Sequence, residues 1–125
     1  MAKQITKAEF QIMDVLWAES PLAAATVADR LAGETGWSLK TVKTLLSRLV
    51  EKGAVAHEPD GRRYLYRPKV TRKAYARRAA QHLADQLFGG RAAPLVAHLA
   101  ESKGLTSDDL EELENLIGEL KRDGH

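Results

Sequence analysis

The chain contains no cysteine. Disulfides, thiolate metal sites and thiol redox sensing are therefore excluded. Aromatic residues are scarce, with two Trp, three Tyr and two Phe among 125 residues. The exposed ring platform on which single-stranded RNA stacks is not evident. No apolar run approaches the ~18 residues needed to span a bilayer, so no membrane insertion is expected. The opening MAKQITKAEF lacks the apolar core of a signal peptide, and a cytoplasmic location is the expectation. No nucleophile motif, Walker loop or GxGxxG run occurs. His57, His82, His98 and His125 lie far apart in sequence. His82 and His98 sit in apolar helical contexts, where packed or surface histidines outnumber ligands. No enzyme, no metal site and no cofactor is expected.

Charge of either sign is nearly balanced overall, at +2, but not along the chain. From Trp37 to Arg78 there are twelve Lys/Arg against three acids, a local net of +9. From Glu101 onward there are eight acids against three bases, a local net of −5. A basic patch on a near-neutral chain points to a polyanion partner. The alternative is a solvated surface face. It does not explain why the bases gather around one helix and one hairpin.

That helix and hairpin lie in SLKTVKTLLSRLVEKGAVAHEPDGRRYLYRP, from Ser38 to Pro68. Val42, Leu45, Leu46, Leu49 and Val50 follow the i, i+3, i+4, i+7, i+8 spacing of an amphipathic helix. Ser38 is the natural N-cap and Gly53 the C-terminal stop. The face opposite the apolar stripe carries Lys40, Thr44, Ser47 and Glu51, flanked by Thr41, Lys43 and Arg48. Short hydroxyls and long cations on one face suit phosphate and base-edge contact. After Gly53, Ala54–Glu58 and Arg63–Arg67 read as strands joined by Pro59-Asp60-Gly61-Arg62, with Asp-Gly as the hairpin signal. Alternation puts Tyr64 and Tyr66 on one face, where packing on the helices is the expectation, and Arg63, Leu65 and Arg67 on the other. A groove-reading helix followed by a basic β-wing is the layout of a winged helix-turn-helix.

Two helices precede this segment. Thr6 and Glu9 form a capping box, with Ile5 and Phe10 at staple spacing. Phe10, Met13, Leu16 and Trp17 make an apolar face that ends before Pro21. Residues 24–34 give a second helix with Val27, Ala28 and Leu31 inward, ended by Gly33 and Gly36. Its start is weakly signalled, because Ala23 cannot cap.

Three helices are expected after the hairpin. Thr71 caps one running to about Phe88, with a stripe at Tyr75, Ala79, Leu83 and Leu87, broken by Gly89-Gly90. A short helix from Ala92 to Ser102 carries Leu95, Val96 and Leu99. A last helix opens with a second capping box inside a staple, Leu105-Thr106-x-x-Asp109-Leu110. Leu110, Leu113, Ile117 and Leu120 then step 3-4-3 as a heptad seam, which Leu116 widens. Three such helices cannot bury all their apolar faces on one another, and an exposed seam calls for a partner. The alternative is that these helices fold back on the N-terminal domain; a second copy is the simpler partner, since two-fold dimers are the commonest oligomers and give a DNA reader its second half-site. The expected fold is mainly α with a small β-wing: a winged helix-turn-helix DNA-binding domain over residues 1–70, then a three-helix dimerisation domain over 71–125.

Several strings carry a family likeness. They are Met13-x-x-Leu16-Trp17, Thr41-Val42-Lys43-Thr44-Leu45-Leu46-x-Arg48-Leu49-Val50-x-Lys52-Gly53 and Arg63-Tyr64-x-Tyr66-x-Pro68. Leu87-Phe88-Gly89-Gly90 and Leu105-Thr106-x-x-Asp109-Leu110-Glu111-Glu112-Leu113 extend them. Nearly the whole chain resembles the penicillinase repressors, the BlaI/MecI family. The resemblance implies a homodimeric winged-helix repressor binding double-stranded DNA at an inverted-repeat operator, of the TACA/TGTA type in the best-known members. It implies release by a signal-dependent event such as proteolysis, with a membrane sensor metalloprotease as partner.

Combining the residue pattern with the resemblance, the expected DNA-binding residues are Ser38, Lys40, Thr41, Lys43, Thr44, Ser47, Arg48, Arg62 and Arg63. The expected dimerisation residues are Leu95, Leu99, Leu110, Leu113, Leu116, Ile117 and Leu120. Well-known members are cut at an Asn-Phe bond early in the C-terminal domain, and the aligned position here holds His98-Leu99. The copper-responsive branch carries C-terminal cysteine pairs that this chain lacks, which excludes metal release by thiolates.

Two functions of different class follow from these residues. One is a dimeric DNA-binding repressor. The other is a winged-helix protein-interaction module whose basic surface recruits an acidic partner without sequence-specific DNA binding. Salt-steep binding to one specific duplex separates the first from the second.

Overall fold

The computed structural model describes residues 4–102 and 104–123, so His125 lies outside the described residues. The chain forms two compact units, Met1–Ala76 and Arg77–His125.

The first unit opens with α1 (Lys7–Ala18), closed by the expected capping box. Glu9 N–H donates to Thr6 Oγ1 at 3.1 Å, and Thr6 N–H donates to Glu9 Oε1 at 2.9 Å. Met13 and Leu16 are buried, as is Ile12, which the sequence stripe omitted. The helix packs against two helices and a strand, so a wider arc is covered than one apolar stripe. Phe10 and Trp17 sit at the margin of that arc.

A two-residue strand, β1 (Leu22–Ala23), precedes α2 (Ala24–Thr35). Ala23 occupies the α2 N-cap and makes no side-chain cap bond. Gly36 ends α2 in the left-handed region at φ 67°, whereas Gly33 lies inside the helix. A left-handed C-cap satisfies the last carbonyls, so the stop belongs to Gly36 alone.

The helix α3 (Leu39–Glu51) starts where Thr41 N–H donates to Ser38 Oγ at 3.2 Å. Val42, Leu45, Leu46 and Leu49 are buried and Val50 half-buried, which matches the stripe. Gly53 sits at φ 79°. Its N–H donates to Val50 O and the Ala54 N–H to Leu49 O, both at 3.0 Å, forming a Schellman turn.

The hairpin of β2 (Val55–Asp60) and β3 (Arg63–Pro68) follows. The pairing runs from Val55↔Pro68 to Asp60↔Arg63, so the loop is Gly61-Arg62 alone, not the four residues expected. Pro59 is tolerated in β2 because the sheet order is β1-β3-β2 and β2 is an edge. Tyr66 packs on the core. Burial pushes its phenol pKa up, and the neighbouring Tyr64 adds to this. Tyr64 does not pack on the helices as expected; it is 46% exposed, with its ring 4.6 Å from His57. Two residues nearer the loop than Tyr66, it lies beyond the reach of the helical core.

The helix α4 (Arg72–Phe88) begins in the first unit, with Ala74 N–H donating to Thr71 Oγ1 at 3.0 Å. Tyr75 lies 5.6 Å from Trp17 and 5.9 Å from Phe10, ring to ring. Trp17 Nε1 donates to Val70 O at 2.9 Å, and the Arg72 guanidinium stands 4.8 Å over the Trp17 ring and pairs with Asp14.

The second unit holds the rest of α4, then α5 (Ala92–Glu101) and α6 (Ser107–Arg122). Ala84 is the buried residue of α4, while Leu83 and Leu87 of the expected stripe are 41% and 62% exposed. Thr106 and Asp109 close the second capping box.

Candidate DNA interface

The core uses one face of α3 and leaves the other to solvent. Ser38, Lys40, Thr41, Lys43, Thr44, Ser47 and Arg48 are all exposed. Leu39, Lys40, Lys43, Thr44 and Ser47 line an open surface depression of about 420 Å³. No ion pair engages Lys40, Lys43 or Arg48 among the described residues. Their charges are therefore available to an external anion.

The hydroxyls are not equivalent. Ser38 Oγ is committed to the cap, accepting Thr41 N–H and lying 3.2 Å from Thr41 Oγ1. Thr44 Oγ1 donates to Lys40 O at 3.0 Å. Its proton is used inside the helix, so outward it offers an acceptor and a methyl group. A methyl can meet the thymine methyl in the major groove.

The wing arginines differ too. Arg62, in the two-residue loop, is exposed and makes no ion pair among the described residues. Arg63 is held by Asp60, with Nη2 and Nε each 3.1 Å from Oδ2. An arginine already held by a carboxylate has fewer donors left for phosphate.

Lys52, one of the twelve bases counted in the basic segment, points inward and not toward this surface. Its Nζ pairs with Glu9 Oε1 at 2.5 Å, with the lysine side chain 15% exposed and the glutamate side chain fully buried. Burial raises the Glu9 pKa, but hydrogen bonds from Lys52 and the Thr6 backbone, with the Lys52 charge, outweigh it. The carboxyl is held below its ordinary value. Spacing alone does not reveal this pair, because its partners are 43 residues apart.

In the second unit, Leu99, Leu110, Leu116, Ile117 and Leu120 are 48–53% exposed. Leu95 and Leu113 are half-buried. Neither α5 nor α6 has a buried residue. The His98-Leu99 bond lies within α5, and the His98 ring stacks 5.4 Å from Phe88.

A family model described as Penicillinase repressor matches residues 5–119. The chain belongs to the penicillinase repressor family. This is a family of transcriptional repressors and not of enzymes. The penicillinase repressor of Bacillus licheniformis is 30% identical over 118 residues, covering 94% of this chain and 92% of that protein. The methicillin resistance regulatory protein MecI of Mammaliicoccus sciuri is 25% identical over 114 residues, covering 91% and 93%. Among penicillinase repressor structures, Bacillus licheniformis BlaI in monomeric form, in complex with the blaP half-operator, matches with a TM-score of 0.51. It shares 36% identity and covers 60% of this chain and 92% of that one. No helix among the described residues is long and apolar enough to cross a membrane.

Proposed function

We propose that this family member is a homodimeric transcriptional repressor that binds an inverted-repeat operator in double-stranded DNA. In this reading α3 enters the major groove, with Lys40, Thr41, Lys43, Thr44, Ser47 and Arg48 toward base edges and phosphates. Ser38 acts through the α3 cap, and Arg62 and Arg63 of the wing meet the backbone. The observation that carries this reading is the two-sided use of α3. Its apolar side is in the core, and its other side presents cations with no intramolecular partner among the described residues. The likeness to BlaI, solved as a monomer in complex with the blaP half-operator, supports operator DNA as the partner.

The second copy covers the seam of Leu95, Leu99, Leu110, Leu113, Leu116, Ile117 and Leu120. Half-exposed apolar residues on two helices without a buried residue, four of them at heptad spacing on α6, support that assignment. The division of labour is a DNA-binding domain over about residues 1–70 and a dimerisation domain over 71–125, acting in the cytoplasm. Release follows a signal-dependent event such as proteolysis by a membrane sensor metalloprotease. Since His98-Leu99 is helical, cleavage there requires local opening of α5.

The test is a binding titration on the duplex the full chain selects from a randomised pool and on a scrambled duplex, across a salt series. Tighter binding to the selected duplex with a steep salt slope is expected. Equal affinity for both duplexes overturns the reading in favour of a protein-interaction module.

A further inference from the structure

Glu9 is the charged side chain wholly withdrawn from solvent among the described residues. Its Oε1 accepts the Thr6 backbone N–H at 2.9 Å and Lys52 Nζ at 2.5 Å, while Oε2 has no partner among the described residues. Lys52 Nζ also donates to Gln4 O at 2.9 Å. Lys52 is the C-cap of α3, and β2 begins at Val55. One ion pair thus pins the joint from which both the reading helix and the wing depart, against the first turn of α1.

Net stability is a weak reason for such a pair. Desolvating both charges offsets most of their attraction, and a neutral pair of similar volume holds a fold as well. What a neutral pair loses is the fixed direction of a charge-assisted hydrogen bond.

We propose that Glu9 and Lys52 are positioning residues for DNA reading, fixing the pitch of α3 and the root of the wing so that base-edge contacts fall in register. This rests on the DNA-reading role proposed above for α3. Lys40, Lys43 and Thr44 lie about 12–18 Å along the helix from Lys52, at ~1.5 Å per residue. A tilt of about 5° at that anchor displaces them by ~1–1.5 Å, more than the ~0.5 Å window of a good hydrogen bond. Flexible lysines and arginines follow a phosphate through such a shift, but base-edge contacts do not. The pair therefore governs discrimination more than overall affinity.

The test uses the full chain and two probes, the duplex that wild type selects from a randomised pool and a scrambled duplex. In Glu9→Gln/Lys52→Met both charges are gone, and the glutamine amide can still close the capping box. Cooperative thermal unfolding is expected to persist. The ratio of selected to scrambled affinity should fall about tenfold, the scale of one lost base contact, with scrambled affinity and salt slope unchanged. Lys52→Arg, which keeps the pair, should retain the wild-type ratio. Should the double variant not fold, Lys52→Met alone, which removes the charged donor and leaves the Thr6–Glu9 capping box, is read the same way. An unchanged ratio in a folded variant overturns the proposal. So does an equal loss on both duplexes with a shallower salt slope, which would make Lys52 a phosphate contact. A wild-type chain that selects no sequence overturns the DNA-reading role itself, and the positioning role with it.

Discussion

A fragment ending at Lys69 keeps α1 to α3 and the whole wing, yet it should be measurably less stable than one ending at Ala76. The seven additional residues supply the Val70 carbonyl that accepts Trp17 Nε1 at 2.9 Å, and the Tyr75 ring 5.6–5.9 Å from Trp17 and Phe10. They also supply Arg72, half-exposed, against Asp14 and the Trp17 ring. The hydrogen bond contributes ~1 kcal/mol. The two aromatic pairs contribute ~0.5–1.5 kcal/mol each. The exposed Arg72 pair contributes little. The helical hydrogen bonds of the first turn of α4 offset most of the entropy lost in ordering it, and the remainder reduces a gross gain of ~2–4 kcal/mol to about 2 kcal/mol. For a domain of this size that is roughly 8–16 °C in Tm. Thermal melts followed by circular dichroism, with urea titrations alongside, read the difference. Coincident melts would refute the reasoning, because the first turn of α4 would then add nothing to the DNA-binding unit.

Lys43→Ala and Thr44→Ala should each weaken binding to the selected duplex by ~1–3 kcal/mol with circular dichroism unchanged, since neither side chain is in the core. Wild-type affinity in both would mean that α3 does not read the groove. Arg62→Ala should weaken selected and scrambled duplexes alike and lower the salt slope by about one. Arg63→Ala should do less, because Asp60 already holds that guanidinium, and Asp60→Ala should strengthen binding; equal effects of the two arginine variants would contradict this. Leu113→Glu and Ile117→Glu should turn a sedimenting dimer into a monomer by placing unpaired charge in an apolar seam, whereas an unaltered dimer would place the interface elsewhere. The folded state holds Glu9 below its reference value of 4.5, so the unfolded chain takes up the proton first as pH falls. The pair's contribution is complete above that value and is lost as pH drops through the lower folded-state value. Urea midpoints measured from about pH 6 down to pH 3 should therefore fall more steeply for wild type than for Glu9→Gln, and parallel curves would count against the linkage.

Local signals carried most of the fold. The capping boxes at Thr6 and Thr106, the Ser38 cap, the Gly53 turn and the α3 stripe depend on residues a few positions apart, and spacing reveals them. What spacing could not reveal depends on distant partners. A two-residue strand has no periodicity, and β1 exists only because Leu22 and Ala23 pair with Tyr66 and Leu65. The inward turn of Lys52 requires Glu9, which a capping box alone explains at the sequence level. The docking of Tyr75 and Arg72 on α1 could not be read from a stripe that also ran through Leu83 and Leu87. For the interface, exposure of the α3 residues followed from the helical wheel. The internal bond of Thr44 and the hold of Asp60 on Arg63 are local too, but they depend on which of several rotamers each side chain adopts, and spacing leaves that choice open.

The most direct measurement compares full-length protein on two duplexes of equal length, one carrying both half-sites of the selected sequence and one carrying a single half-site. A dimer with reading helices roughly 34 Å apart, or a multiple of that, engages both grooves at once. Linked binding then predicts affinity for the double site at least ~10²-fold above the single site, with one dimer bound. Equal affinity for the two duplexes, or a monomer bound tightly to either, would contradict the account.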